Sequence, residues 1–308
     1  MNLKLSITFA FLLGIHLGIL AQNDSTDFFS SKEKSLSDLF KRIATETSAF
    51  KRDSFNNIFS ENFEQTLKQD SSFFYPFDSL KHIGKLASND NKIRIYTWNI
   101  PQSGGLYNYF GYLQIRNDSG KSILYKLRDS RNEVKDQNNE RLSTDKWMAA
   151  LYYQVADISI NSQTYYILLG FDFNNLFSSK KIVDVLSFDN NENPVFGLPI
   201  FNVDNKMLLS RIVFEYSARA VFTLKYMPDQ QMLIFDHLSP AKPEYLGDFQ
   251  FYGPDSSFDG FKLENEKWTY VRDLDLRNPK REKIKPVEAP EKLSEPSFIY
   301  KPLYGKKN

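Results

Sequence analysis

Between Ser35 and Leu67 the apolar positions recur at helical spacing. SLSDLFKRIATETSAF sets Leu36, Leu39, Phe40 and Ile43 on one face, and SFNNIFSENFEQTL does the same with Phe55, Ile58, Phe59, Phe63 and Leu67. The pattern predicts two amphipathic helices after a short polar approach over 22–31, with Ser35 or Ser37 capping the first and Asp53 or Ser54 the second. A single apolar stripe usually packs on the fold's own core, so the pair is expected as a cap. Beyond FFYPFDSL, where Pro76 interrupts regularity, the period changes to two. In KIRIYTWNI, Ile93, Ile95 and Thr97 fall on one face and Arg94, Tyr96 and Trp98 on the other.

Short aromatic and β-branched runs continue from there to WTYVRDLDL, separated by polar loops such as NDSGKS, SINSQT, DNNENP and MPDQQ. Loops this short join antiparallel neighbours, because a parallel crossover needs a dozen residues or more. The expected fold is mainly β, of the α+β kind. It is an antiparallel meander of about ten to thirteen strands forming a sandwich or barrel-like domain, capped by the two N-terminal helices. A propeller-like arrangement is the alternative, although no internal period survives alignment of the strands. Two stretches break the pattern. NNLFSSKKIVDVL reads as a helical turn or as a loop leading into a strand, and Arg128–Trp147 is a polar insertion of unusual length, expected as a functional or a mobile loop.

The ends of the chain differ from its body. Lys4 precedes an apolar run from Leu5 to Leu20, interrupted by Gly14, His16 and Gly18 and followed by AQNDSTD. The run is shorter than the ~20 residues of a spanning helix and has the layout of a secretory signal peptide cleaved after Ala21. No later run approaches spanning length, so no transmembrane segment is expected after signal removal, and the chain is expected in the periplasm or at the cell surface. At the other end, 277–308 holds five of the 13 prolines and nine Lys or Arg against four Glu, the composition of an extended basic arm or a solvated end. The expected organisation is a signal peptide over 1–21, a linker and helical cap over 22–82, an antiparallel β domain over 83–276 and a Pro-rich tail over 277–308.

Composition narrows the chemistry. Lys+Arg 39 against Asp+Glu 38 gives a formal charge of +1, which with the lack of a phosphate-cradling loop excludes nucleic acid as an expected partner. The absence of cysteine removes disulfides, thiolate metal sites and thiol nucleophiles, and only His16, His82 and His237 supply imidazole. No cofactor is expected. Aromatic residues reach 15%, and in a protein without disulfides most of that is expected in cores and cross-strand pairs.

The phrases YPFDSL, RIYTWN, LLGFD, VFGLPIF, RIVFEYSARAVFTLKY, IFDHLSP and FYGPDSSFDGF, spread over about Phe74 to Asp275, together resemble a family of exported proteins of the Bacteroidota lineage that carries no assigned activity. The resemblance implies export and adds no mechanism.

Asp236 and His237 are neighbours in MLIFDHLSP, yet adjacent strand residues point to opposite faces, so they are not expected to form a base–orienter pair with each other. Glu215 in RIVFEYS is placed four residues after Arg211 on one side of a strand. It is either one half of a salt-bridged solvent face or a carboxylate in a sugar groove lined by Trp98, Tyr153 and Arg211. Asp255 and Asp259, and the turn at Asp189 to Glu192, offer oxygen-rich loops of the kind calcium takes, but they match the local hydrogen-bonding habit of turn residues better. The leading expectation is an exported, non-catalytic binding protein whose partner is an envelope polysaccharide or an envelope protein. The alternatives are a carboxylate-dependent polysaccharide hydrolase that needs no histidine, and a structural subunit of an envelope assembly; the catalytic candidates the chain offers are Glu215, Asp236 and His237.

Overall fold

The computed structural model describes residues 27–204 and 207–275. The leader, its cleavage site and the tail over 277–308 lie outside the described residues. Helix α1 spans 27–45 and α2 Ala49–Leu67. The chain then forms strands β1 (Gly84–Ala87), β2 (Ile93–Pro101), β3 (Tyr107–Arg116) and β4 (Ser122–Arg128), which pair in that order as a first antiparallel sheet. Next come β5 (Leu151–Ile160), β6 (Gln163–Asp172), β7 (Ser178–Phe188) and β8 (Pro194–Phe196) of a second sheet, and β9 (Phe201–Asn202) and β10 (Leu208–Leu209) of a third. β11 (Ile212–Ser217) returns to the edge of the second sheet beside β7. β12 (Leu224–Met227), β13 (Met232–Pro240), β14 (Tyr252–Glu264) and β15 (Lys267–Val271) complete the third.

The result is a stack of four layers, the helices followed by the three sheets. The alternation in β2 decides the first two contacts. Tyr96 and Trp98 point to the helices, where they meet Phe59 and Phe63, while Ile93 and Ile95 point to Leu168 and Ile182 of the second sheet. The second sheet is itself covered on both sides, with Leu168 and Leu186 toward the first sheet and Ile167, Leu169, Val183 and Val185 toward Phe201, Leu233 and Phe261 of the third. This explains why TYYILLGF and IVDVLSF are continuous apolar runs, since a strand buried on two faces has no polar side to show.

Polar ties fix the cap on its sheet. The Trp98 indole N–H donates to Asn56 Oδ1 at 2.9 Å, Tyr112 donates to the Ser60 carbonyl at 3.0 Å, and Gln114 Nε2 donates to the Leu67 carbonyl at 2.8 Å. Buried Arg94 donates to the Phe73 and Tyr75 carbonyls at 2.7 and 2.5 Å, which satisfies the turn between α2 and β1. The exposed edges of β5 and β12 cover one another: Gln154 exchanges two hydrogen bonds with the Tyr226 backbone, and Tyr153 donates to the Leu224 carbonyl at 3.0 Å.

Several expectations need correction. α1 runs through Ser35 and Ser37 rather than starting at them, so residues 27–31 are helical. α2 is capped by Ser48, whose hydroxyl accepts from the Lys51 N–H, and not by Asp53 or Ser54. Ile58 faces outward, because two phenylalanines one turn apart already fill the contact with β2. Fifteen strands are found among the described residues, the excess lying in the short β8 to β10, and β9 pairs with β15 in parallel, which the long connection through β10 to β14 permits where a hairpin would not. Residues 174–177 form a turn into β7 rather than a helix. The stacked sheets give a sandwich-like architecture and not propeller blades. Among the described residues no helix is long and apolar enough to cross a membrane.

Candidate functional site

The polar insertion after β4 is an ordered loop. Its base closes where Trp147 N–H donates to the Arg128 carbonyl and Ser130 N–H to the Trp147 carbonyl, both at 3.0 Å. Val134, Leu142 and the fully buried Trp147 anchor it to the core between the first and second sheets. Its far turn is wound around Glu140, whose carboxylate accepts from the N–H groups of Lys135 and Asp136 at 2.7 and 2.9 Å and from Lys146 Nζ at 2.7 Å. The Lys146 ammonium first, and then the two N–H groups, push the Glu140 carboxyl down to about 2.

That depression has a sign. A carboxyl lowered from its ordinary 4.5 adds loop stability that is complete above 4.5 and disappears as pH falls through about 2. Glu140→Gln is therefore expected to speed hydrogen exchange at the Lys135 and Asp136 amides at neutral pH. The unsubstituted protein should lose that protection only on acidification below 4.5. Equal protection in both at pH 7 would dismiss the clamp.

With the loop held in this way, β3, the end of β4, residues 129–137 and the ends of β6 and β7 enclose a cleft of about 750 Å³. Arg131 is its organiser. Nε and Nη2 bind both oxygens of Asp129 at 3.0 Å, Nη1 donates to Asp172 Oδ1 at 2.6 Å, and Nη2 also donates to the Tyr107 carbonyl at 2.8 Å. Its guanidinium carbon lies 4.2 Å from the centre of the Tyr109 ring. Burial first, and the neighbouring Asp172 carboxylate second, push the Tyr109 phenol far above its ordinary value, so it stays neutral. At the rim Arg128 grips Glu133 through two bonds of 2.8 and 3.2 Å, and Asn108 and Asn132 are exposed. Lys180 sits deeper, 3.5 Å from Glu215 Oε2. Tyr107 stacks on Phe173 at 4.5 Å between ring centres.

The residues singled out from sequence do not converge on this cleft. Glu215 borders it through Lys180, but its other oxygen accepts from Ser178 Oγ at 2.6 Å and Asn174 Nδ2 at 3.0 Å, which leaves it a structural acceptor. Arg211 is not beside Glu215 and not on a surface. It is fully buried, with Nε 3.0 Å from Asp184 Oδ2 and Nη1 donating to the Gln137 carbonyl at 2.9 Å. Trp98 is sealed under α2, so neither it nor Arg211 can touch a ligand. Tyr153 is exposed but belongs to the β5–β12 edge. Asp236 accepts from the Thr223 N–H at 2.6 Å, while His237 pairs with Asp259 instead, Nδ1 to Oδ2, at 2.6 Å.

The oxygen-rich turns serve themselves. Asp255 accepts from its neighbour Ser257, Asp189 accepts from Asn191 and Asn193, and buried Asp259 is taken up by His237, Tyr270 and the Asp273 N–H. Among the described residues no group of three or more His, Asp or Glu is placed to hold a metal ion. His82 stacks flat on Phe40 at 5.8 Å, as part of the cap.

Sequence reasoning missed Asp129, Arg131, Asp172 and Lys180. Its one usable signal was the length of the insertion. Comparison with family models, with curated proteins and with solved structures gave no match, so the function has to be argued from these residues themselves.

Proposed function

We propose that the chain is an exported, non-catalytic binding protein whose cleft takes a neutral, polyhydroxylated ligand, an envelope oligosaccharide. The observation that carries this is the lining. Four cations (Lys126, Arg128, Arg131 and Lys180) stand against four carboxylates (Asp129, Glu133, Asp145 and Asp172), interleaved with Tyr107, Tyr109, Phe110 and four amide side chains. A charge-balanced wall offers no net attraction to an anion or a cation. It does offer alternating donors and acceptors, which is what a sugar needs, because each hydroxyl both donates and accepts. The aromatic rings supply apolar area for the faces of the sugar rings. Export is supported by the leader and is carried here as part of the same reading.

The cleft argues for binding rather than hydrolysis. Glycoside hydrolysis needs one carboxyl that carries a proton to the leaving oxygen. The two most buried carboxylates of the cleft, Asp129 and Asp172, each accept from the Arg131 guanidinium and are positioned as anchors. Calorimetric titration with a panel of neutral oligosaccharides should find a saturable ligand. Arg128→Ala combined with Asn132→Ala at the rim should weaken it by tenfold or more, with the fold intact. A panel without any binder, or rim substitutions without effect, would refute the reading, and release of new reducing ends from a bound oligosaccharide would replace it with the hydrolase.

A further inference from the structure

A second pocket, of about 350 Å³, opens between β11 and the face of the third sheet formed by β13, β14 and β15. Its body is apolar, with Leu209, Ile212, Val213, Phe214, Phe235 and Leu238 among its lining, and its polar end is His237 on Asp259. Three features distinguish this end from a core histidine. First, buried Asp259 holds the ring while being fixed itself by two further donors: Oδ2 takes His237 Nδ1 at 2.6 Å and the Tyr270 hydroxyl, and Oδ1 takes the Asp273 N–H at 3.0 Å. Burial works to raise the Asp259 carboxyl, and these donors outweigh it, so it stays an anion. Second, the imidazole is only partly covered, and Nε2 finds no protein partner among the described residues. Third, the ladder is interrupted at this point. Asp236 pairs with Phe258 but Leu238 with Pro254, so His237 alone faces the three residues Asp255 to Ser257, with Ser256 in the left-handed region at φ 78°. Bulges that re-aim one side chain, and non-glycine residues held at positive φ, concentrate at binding sites.

We propose that this pocket binds a small amphiphile with an aromatic or alkyl body and one neutral hydroxyl, a phenol or an alcohol, whose O–H donates to Nε2 of His237. The carboxylate of Asp259 can only accept, so its bond selects the tautomer with the proton on Nδ1, in which Nε2 is the acceptor. The head must then be a donor. An anionic head is disfavoured, because Asp236 and Asp259 both border the pocket. The volume lies at the small end for ligand pockets and suits a bicyclic body rather than a long chain. This site is separate from the saccharide cleft and does not depend on it.

The probe is 2-naphthol, titrated by its own fluorescence and compared with naphthalene and 2-naphthoate. The expected order is 2-naphthol tighter than naphthalene by about five- to tenfold, the worth of one hydrogen bond to an aligned acceptor, with 2-naphthoate weakest. In the unsubstituted protein, 2-naphthol should shift the His237 Nε2 resonance and leave Nδ1 bonded to Asp259. His237→Phe, which keeps a planar ring but removes both ring nitrogens, should erase the preference for 2-naphthol while naphthalene still binds. Equal affinity for 2-naphthol and naphthalene in the unsubstituted protein, preference for the naphthoate, or no saturable binding of any of the three would overturn the proposal, and none of these readouts requires the variant to fold.

Discussion

Arg211→Met is expected to lower the unfolding free energy by roughly 3–5 kcal/mol, the usual cost of leaving one member of a buried ion pair without the other. Both Arg211 and Asp184 are fully buried, and Nε and Oδ2 approach to 3.0 Å as an ionic contact without the alignment of a good hydrogen bond. The remaining support of the carboxylate is slight, since Oδ1 accepts from the N–H of the next residue, Val185. The Tyr152 phenol beside it is pushed far above its ordinary value, by burial first and by the Asp184 charge second. Removing the guanidinium would leave a negative charge in the middle sheet opposed only by neutral donors, the Val185 N–H and the Tyr152 hydroxyl. The same substitution should disturb the cleft, because Arg211 also holds the carbonyl of Gln137, a cleft residue. Urea unfolding measures the first effect. Adding Asp184→Leu to Arg211→Met should recover a large part of the loss, since an apolar pair carries no orphaned charge. A single substitution costing under about 1 kcal/mol would mean that water or a relaxed carboxylate already neutralises the site.

That pair also shows why sequence legibility was uneven. Where a side chain's environment follows from its own strand, the periodicity was sufficient. Ile93 and Ile95 went to one side of β2 and Tyr96 and Trp98 to the other, as alternation requires. The opposition of Asp236 and His237 held for the same reason, since one meets Thr223 and the other Asp259. Sites assembled from distant segments were not legible. Arg131 meets Asp172 only because the ends of β4 and β6 come together across the first two sheets, 41 positions apart in the chain. His237 meets Asp259 through the β13–β14 register, where Phe235 faces Asp259. Arg211 looked like half of a surface pair because a charged residue beside a strand usually is one. Nothing local announced that both faces of the second sheet are covered, and that coverage is what buries it. The continuous apolar runs in β6 and β7 held that information, but a fully buried strand in the middle of a stack and one in a simple sandwich have the same pattern.

Phe63→Ala should cost about 3–5 kcal/mol, comparable to the arginine substitution but by a different mechanism. Phe63 is fully buried on the inner face of α2, and its ring meets Phe59, Phe77, Tyr96, Trp98 and Tyr112 with centres between 5.2 and 6.2 Å, mostly edge to face. These partners come from the helix, the following turn and the two central strands of the first sheet, so one ring closes the contact between the cap and the β layers. Removing it opens a cavity whose walls are large and rigid aromatics, which collapse poorly, and that places the loss toward the upper end of the range. Phe63→Leu fills most of the space and should cost markedly less. Urea unfolding followed at once by tryptophan fluorescence and by far-ultraviolet circular dichroism separates two possibilities. If the transitions coincide and only the midpoint falls, the helices fold as one unit with the sheets. If an early transition splits off in Phe63→Ala, the cap is a separate cooperative layer. A loss under about 1 kcal/mol would contradict both and show that the aromatic cluster closes over the gap.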